Sequence, residues 1–181
     1  RGFKTVDGRV TITRSKDLYH RSLRVLRRLR AVTSGDDDRG AWVLNQMIKR
    51  WMTSRSTASP VFVFTNFVET HAPYHWLPKR YRRRYLSNRF TDEQIDRVVG
   101  YHYRDILAGT AEMSESDYEV LNAIYDSTLN YIDDRLGELF DFMRRRKLLD
   151  NTLLVITADH GDNLGDHGLV HHAYSLHDTL V

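Results

Sequence analysis

The chain has 181 residues, 41% of them hydrophobic, and a formal net charge of +3 carried largely by arginine clusters. That apolar content supports a globular core of one domain's size, and no stretch approaches the roughly 20 apolar residues of a membrane span. With no cysteine, disulfides and zinc–thiolate sites are excluded, while the mild basicity fits an anionic ligand without demanding one.

The first forty residues carry few signals. Val6 to Thr13 alternates weakly around Asp7-Gly8, which predicts a hairpin or an extended segment. Residues 15–30 read as a helix with Leu18, Leu23, Leu26 and Leu29 on a partial apolar face. The arginines Arg21, Arg24, Arg27, Arg28 and Arg30 cover the rest. Aromatic interleaving is sparse, so a solvated basic face is expected there and no nucleic-acid partner. After a loop at 33–39, residues 40–55 predict a helix with Trp42, Val43, Met47, Ile48 and Trp51 on or near one side.

Val61 to Val68, V-F-V-F-T-N-F-V, is apolar on both faces at its start, as a central parallel strand would be. It runs into Glu69-Thr70-His71-Ala72-Pro73-Tyr74. Pro73 ends the ladder, which puts His71 just past the strand's carboxyl end. Next comes K-R-Y-R-R-R-Y, where Arg80, Arg82, Arg83 and Arg84 either hold a large anionic substrate or form a solvated surface, the commoner outcome. Residues 92–107 predict a polar, peripheral helix. The longest element is 116–147. Ser116-x-x-Glu119 reads as its capping box, and Tyr118, Leu121, Tyr125, Leu129, Ile132, Leu136, Leu139, Phe140 and Met143 keep one face apolar.

The sharpest stretch is Asn151 to His172. Leu153 to Ile156 is a short, β-branched apolar run that reads as a buried strand. Beyond Ala158, residues 159–172 hold three aspartates, four histidines and three glycines. A carboxylate and an imidazole at adjacent positions face one ion only if the backbone is irregular, which Gly161 permits. Asp with His suits a divalent metal of hard to borderline character, so Asp159 and His160 are the candidate metal ligands. The bland alternative is a helix cap beside a surface histidine. Two buried strands that empty into polar loops, with helices around them, predict an α/β fold: a mostly parallel sheet flanked by helices. On such a sheet His71 and Asp159-His160 lie at one edge and converge.

T-A-D-H-G-D-N-L-G-D-H-G-L at 157–169 resembles the sulfatase family of the alkaline-phosphatase superfamily, with mild departures at Ala158 and Asp162. F-V-E-T-H-A-P-Y at 67–74 resembles the family's histidine turn. Y-D-S-T-L-N-Y-I-D-D-R-L-G-E-L at 125–139 resembles the helix before the metal strand. The resemblance covers 41–181 and leaves 1–40 unplaced. It implies that 1–181 is part of one alkaline-phosphatase-like catalytic domain, the middle of a longer protein and inactive alone. It further implies a divalent ion on Asp159 and His160, calcium first, with manganese open because imidazole tolerates softer metals. His71 would serve the leaving oxygen. His172, in a place where many members have lysine, would hold the transferred group. The nucleophile, formylglycine in sulfatases, is expected upstream in a C/S-x-P-x-R motif that these residues do not contain. The expected substrate is a small-molecule or glycan sulfate ester. Phosphodiester or phosphonate hydrolysis, phosphoryl transfer, or a non-catalytic binding role remain as alternatives.

Overall fold

The structure is a computed structural model that describes residues 3–6, 9–12, 38–55, 59–172 and 175–180, together with Ser22, Val25, Leu26, Arg28 and Leu29. The hairpin expected around Asp7-Gly8 is formed by β1 (Phe3–Val6) and β2 (Arg9–Ile12), antiparallel with Val6 opposite Arg9. Of the helix expected at 15–30, the described residues are helical and exposed, and the remainder lies outside the described residues.

The organising element is α5 (Glu115–Arg145), a helix of 31 residues, roughly 46 Å long at 1.5 Å per residue. Its capping box lies two residues before the expected one. The Ser114 side chain accepts from the Asp117 amide, and the Asp117 carboxylate accepts from the Ser114 amide. Aspartate at this third position closes the same reciprocal pair as glutamate.

The buried stripe of α5 is rotated from the predicted one. It runs through Val120, Leu121, Ile124, Ser127, Thr128, Tyr131, Arg135, Leu139 and Met143, whereas Leu129 is exposed. Ser127 and Thr128 can enter the core because their hydroxyls donate to the carbonyls of Ala123 (2.8 Å) and Tyr125 (2.7 Å), so neither hydroxyl is buried unpaired.

Three apolar clusters line up along this helix. At one end Ile48 of α1 (Ala41–Ser54) packs on Leu139 and Met143. In the middle Leu77 and Tyr81, the latter on the short α2 (Lys79–Arg82), meet Ala41 and Tyr131. At the other end α3 (Asp92–Gly100) supplies Ile95, Val98 and Val99 against Val120, Leu121, Ile124, Tyr74 and Val170. The helix expected at 92–107 is two helices, α3 and α4 (Tyr103–Leu107). Gly100 ends the first, and the His102 ring caps the second by accepting from the Arg104 amide.

The parallel sheet does not appear among the described residues. Their strands are β1–β2 and a second antiparallel pair, β3 (Asn163–Leu164) with β4 (Val170–His171). Residues 61–68 and 152–158 are extended, but Phe62 makes only a single bridge. The two runs expected to be buried strands are largely exposed, Phe64 at 73% and Leu153 at 90%, although Phe67 packs against the middle cluster. Strands that lack neighbours leave both their ladder groups and their apolar side chains open. No helix among the described residues is long and apolar enough to cross a membrane.

Candidate active site

The histidine turn is held from behind. Glu69, at the end of the extended segment 61–68, is buried and accepts from the Ala41 amide at 2.7 Å. Asp38 accepts from the Trp42 amide at 2.8 Å and from the Tyr131 hydroxyl at 2.5 Å. Gly40, the residue before α1, offers no side chain, so these two carboxylates take up the helix's free amides and sit at its positive end. Burial pushes the Glu69 carboxyl up, against the Ala41 amide, which favours its charged form. Arg39 donates to the His71 carbonyl at 2.6 Å. The Ala72–Pro73 peptide is cis.

The second loop is packed, not loose. A Cβ on Gly161 would lie 2.0 Å from the Thr179 carbonyl oxygen, and the Gly161 amide donates to Leu180 at 3.2 Å. Glycine is required here by a close backbone approach, since its φ is not in the left-handed region. Asn163 is buried and donates to the His171 carbonyl (2.7 Å) and to Ser175 Oγ (3.2 Å), while Thr179 donates to Asn163 Oδ1 (2.6 Å). Asn122 of α5 donates to the Leu164 carbonyl at 2.8 Å. The long helix and Asn163 thus fix the β3–β4 hairpin that carries His171 and His172.

The two loops bring three imidazoles together. The ring centroids are 6.1 Å apart for His71 and His160, 5.0 Å for His71 and His172, and 3.9 Å for His160 and His172. Behind them stands a carboxylate the sequence reading passed over. Asp162 has a side chain 5% exposed, its Oδ1 lies 2.6 Å from His172 Nδ1, and the buried Tyr74 hydroxyl donates to its Oδ2 at 3.4 Å. Burial raises the Tyr74 hydroxyl's pKa far above its ordinary value, and the Asp162 charge adds to this. His171 is held below the ordinary imidazole value, first by burial and also by its histidine neighbours, although Asp162 works the other way. The one signal for Asp162 in the sequence is its place two residues beyond His160, inside the Asp-His-rich run.

Asp159 lies at the open side of the cluster: its side chain is 82% exposed, and its Oδ1 accepts from the His160 amide at 3.1 Å and lies 3.9 Å from His160 Nε2. Calcium takes six to eight oxygens, and the described residues at this place offer mostly nitrogen. A calcium ion therefore needs oxygen ligands beyond those the described residues offer here, whereas a borderline ion accepts the imidazoles as they stand. Three of the four arginines after the turn are engaged at the surface. Arg82 pairs with Asp96, Arg83 pairs with Asp92 at 2.6 Å, and the Arg80 guanidinium lies 5.0 Å from the Tyr81 ring centroid.

The sequence profile of the sulfatase family matches residues 7–180. The chain belongs to the sulfatase family. The alkaline-phosphatase-like α/β class comes with that membership. The chain is 27% identical over 148 residues to choline-sulfatase of Rhizobium meliloti, covering 74% of this chain and 28% of the relative. It is 25% identical over 134 residues to an arylsulfatase of Clostridium perfringens, 70% of this chain and 27% of the relative. Over 60 residues it is 37% identical to the multifunctional alkaline phosphatase superfamily protein PehA of Trinickia caryophylli, 33% of this chain and 12% of the relative. The sulfatase chain thus spans about a quarter of the length of the two sulfatases. No solved structure matches it significantly.

Proposed function

We propose that this chain carries one side of the active site of a metal-dependent sulfuric ester hydrolase. The observation that supports the reading is the meeting of His71 with His160 and His172, from two loops some ninety residues apart in sequence, in a chain of the sulfatase family. In its imidazolium form His71 gives the Nε2 proton to the oxygen that leaves with the alcohol, and the Nδ1–H stays tied to the Ala72 carbonyl at 2.6 Å. In its imidazolium form His172 donates from Nε2 to the anionic ester oxygens, and the buried Asp162 fixes its ring plane by accepting from Nδ1. Asp159 and His160 would hold a divalent ion, with calcium or manganese completed by oxygen ligands outside these residues. Such an ion offsets charge on the ester oxygens and orients the attacking group. The nucleophile, a formylglycine in this reading, belongs to a part of the protein outside the 181 residues. The substrate is a small-molecule or glycan sulfate ester.

Hydrolysis of a phosphodiester or phosphonate ester is the second reading. The match to the multifunctional superfamily protein PehA favours it, because one scaffold and metal site serve both chemistries. The test is turnover of aryl sulfate and aryl phosphonate esters by the full-length protein. His71→Ala should lower kcat on an unactivated ester by about 10²–10⁴-fold, the usual contribution of a positioned acid. It should cost less on an ester with a good leaving group. Unchanged turnover in both His71→Ala and Asp159→Ala would remove these residues from the reaction, and no turnover of either ester by the full-length protein would leave only a binding role.

A further inference from the structure

The three clustered histidines share a feature that proton transfer does not require. His71 Nδ1 lies 2.6 Å from the Ala72 carbonyl, His160 Nδ1 2.8 Å from the Gly161 carbonyl and His172 Nδ1 2.6 Å from the Asp162 carboxylate. Carbonyl and ionised carboxylate oxygens only accept, so each Nδ1 holds the proton and each neutral ring keeps its lone pair on Nε2. One ligand atom from each of these rings lies within 4.8 Å of one from each of the other two. A ring nitrogen bonded to a carbonyl or carboxylate, with the opposite nitrogen free, is how metal-binding imidazoles are oriented.

We propose that His71, His160 and His172 form a tris-imidazole site for a borderline divalent cation of the Zn²⁺ class. Three neutral nitrogens with a fourth position open suit zinc or cobalt, and they do not suit calcium, which needs oxygens. A second group of possible ligand atoms, from Asp162, His171 and His172, lies alongside. It is the weaker site, because the Asp162 carboxylate already accepts the His172 Nδ1 proton at 2.6 Å and His171 sits at a left-handed φ of 66°. The tris-imidazole site uses His160 without Asp159, and it stands without the hydrolytic reading. An ion bound there occupies the Nε2 lone pairs of His71 and His172, so it withdraws both from proton transfer.

The test is calorimetric titration of Zn²⁺ alone into the chain, with visible absorption of Co²⁺ as a report of nitrogen coordination. One ion per chain is expected, undisplaced by excess Ca²⁺. His71 is exposed, so His71→Ala leaves the packing intact. It should weaken binding by more than the roughly 10-fold expected of Asp162→Asn, which disturbs only the outer shell. His172→Ala should match His71→Ala. Binding unmoved by His71→Ala overturns the proposal. So does loss on His171→Ala with His71→Ala silent, which would place the ion on the Asp162–His171–His172 side. Equal loss on His167→Ala, whose ring stacks on His177 at 3.9 Å, would place it there and overturn the proposal too. Ester turnover enters none of these readings, so a failed hydrolysis assay leaves the measurement intact.

Discussion

Gly165 sits where no side chain fits. Its φ is 116°, and a Cβ there would lie 2.7 Å from Tyr118 Cδ1. Gly165→Ala therefore meets both backbone strain, of order 1–3 kcal/mol, and a ring of α5. We expect a loss of stability of at least that size in urea unfolding. Tyr118→Ala in the same chain should recover the steric part and leave the backbone part. Full recovery would mean that strain at this φ contributes nothing. Of the site residues, His71, His160 and His172 were legible in the sequence because each stands in a short, unusual pattern of polar residues. Asp162 was not, since nothing in a lone aspartate says that its oxygens will be buried against His172 and Tyr74. Glu69 and Asp38 were missed for the same reason: they serve the α1 amides from across a turn, and their contacts exist only after folding.

At the scale of elements, α5 is tied to α3 by charge as well as by packing. Arg97 donates to Asp117 at 2.6 Å. Burial alone would push the Asp117 carboxyl up, but the Ser114 amide, Arg97, Gln94 and the Ser114 side chain outweigh it and hold it below the ordinary carboxylate value. A carboxyl lowered by folding contributes stability that is complete above its unfolded value, about 3.9. The contribution is lost as pH falls through the lower folded value. Asp117→Asn should thus be less stable than the parent near neutrality and lose less stability on acidification below about pH 4, as seen in thermal melts at a series of pH values. Parallel acid profiles for the two proteins would show that Asp117 is not held low. The capping box, the length of α5 and the position of α1 were legible to within two residues from periodicity and turn chemistry. The rotation of the buried stripe was not, because Ser127 and Thr128 read as polar until their hydroxyls are seen to bond back to their own helix.

At the scale of the molecule, the apolar runs are the unfinished part. Phe64 and Val155 are each 73% exposed, on two extended segments that lead directly into the histidine turn and the Asp-His-rich loop. Exposed apolar segments of this kind are association surfaces. The 181-residue chain by itself should bind a hydrophobic dye and self-associate, and Phe64→Ser with Val155→Ser should reduce both, measured by fluorescence and light scattering. A monodisperse chain with no dye response would mean that these runs are covered in solution.

The sequence by itself determined the family, most of the helices and the three histidines that meet at the candidate site, because motifs, caps and periodicity are local and leave their mark on adjacent positions. It also pointed to the convergence of His71 with the second loop, although through a parallel sheet that the described residues do not form. Tertiary structure alone decided that His71, His160 and His172 share one place with every Nδ1 occupied. It alone decided that Asp162 is buried behind them while Asp159 faces solvent. Burial and hydrogen-bond partnership are properties of residues brought together from distant parts of the chain, and no spacing along the chain encodes them.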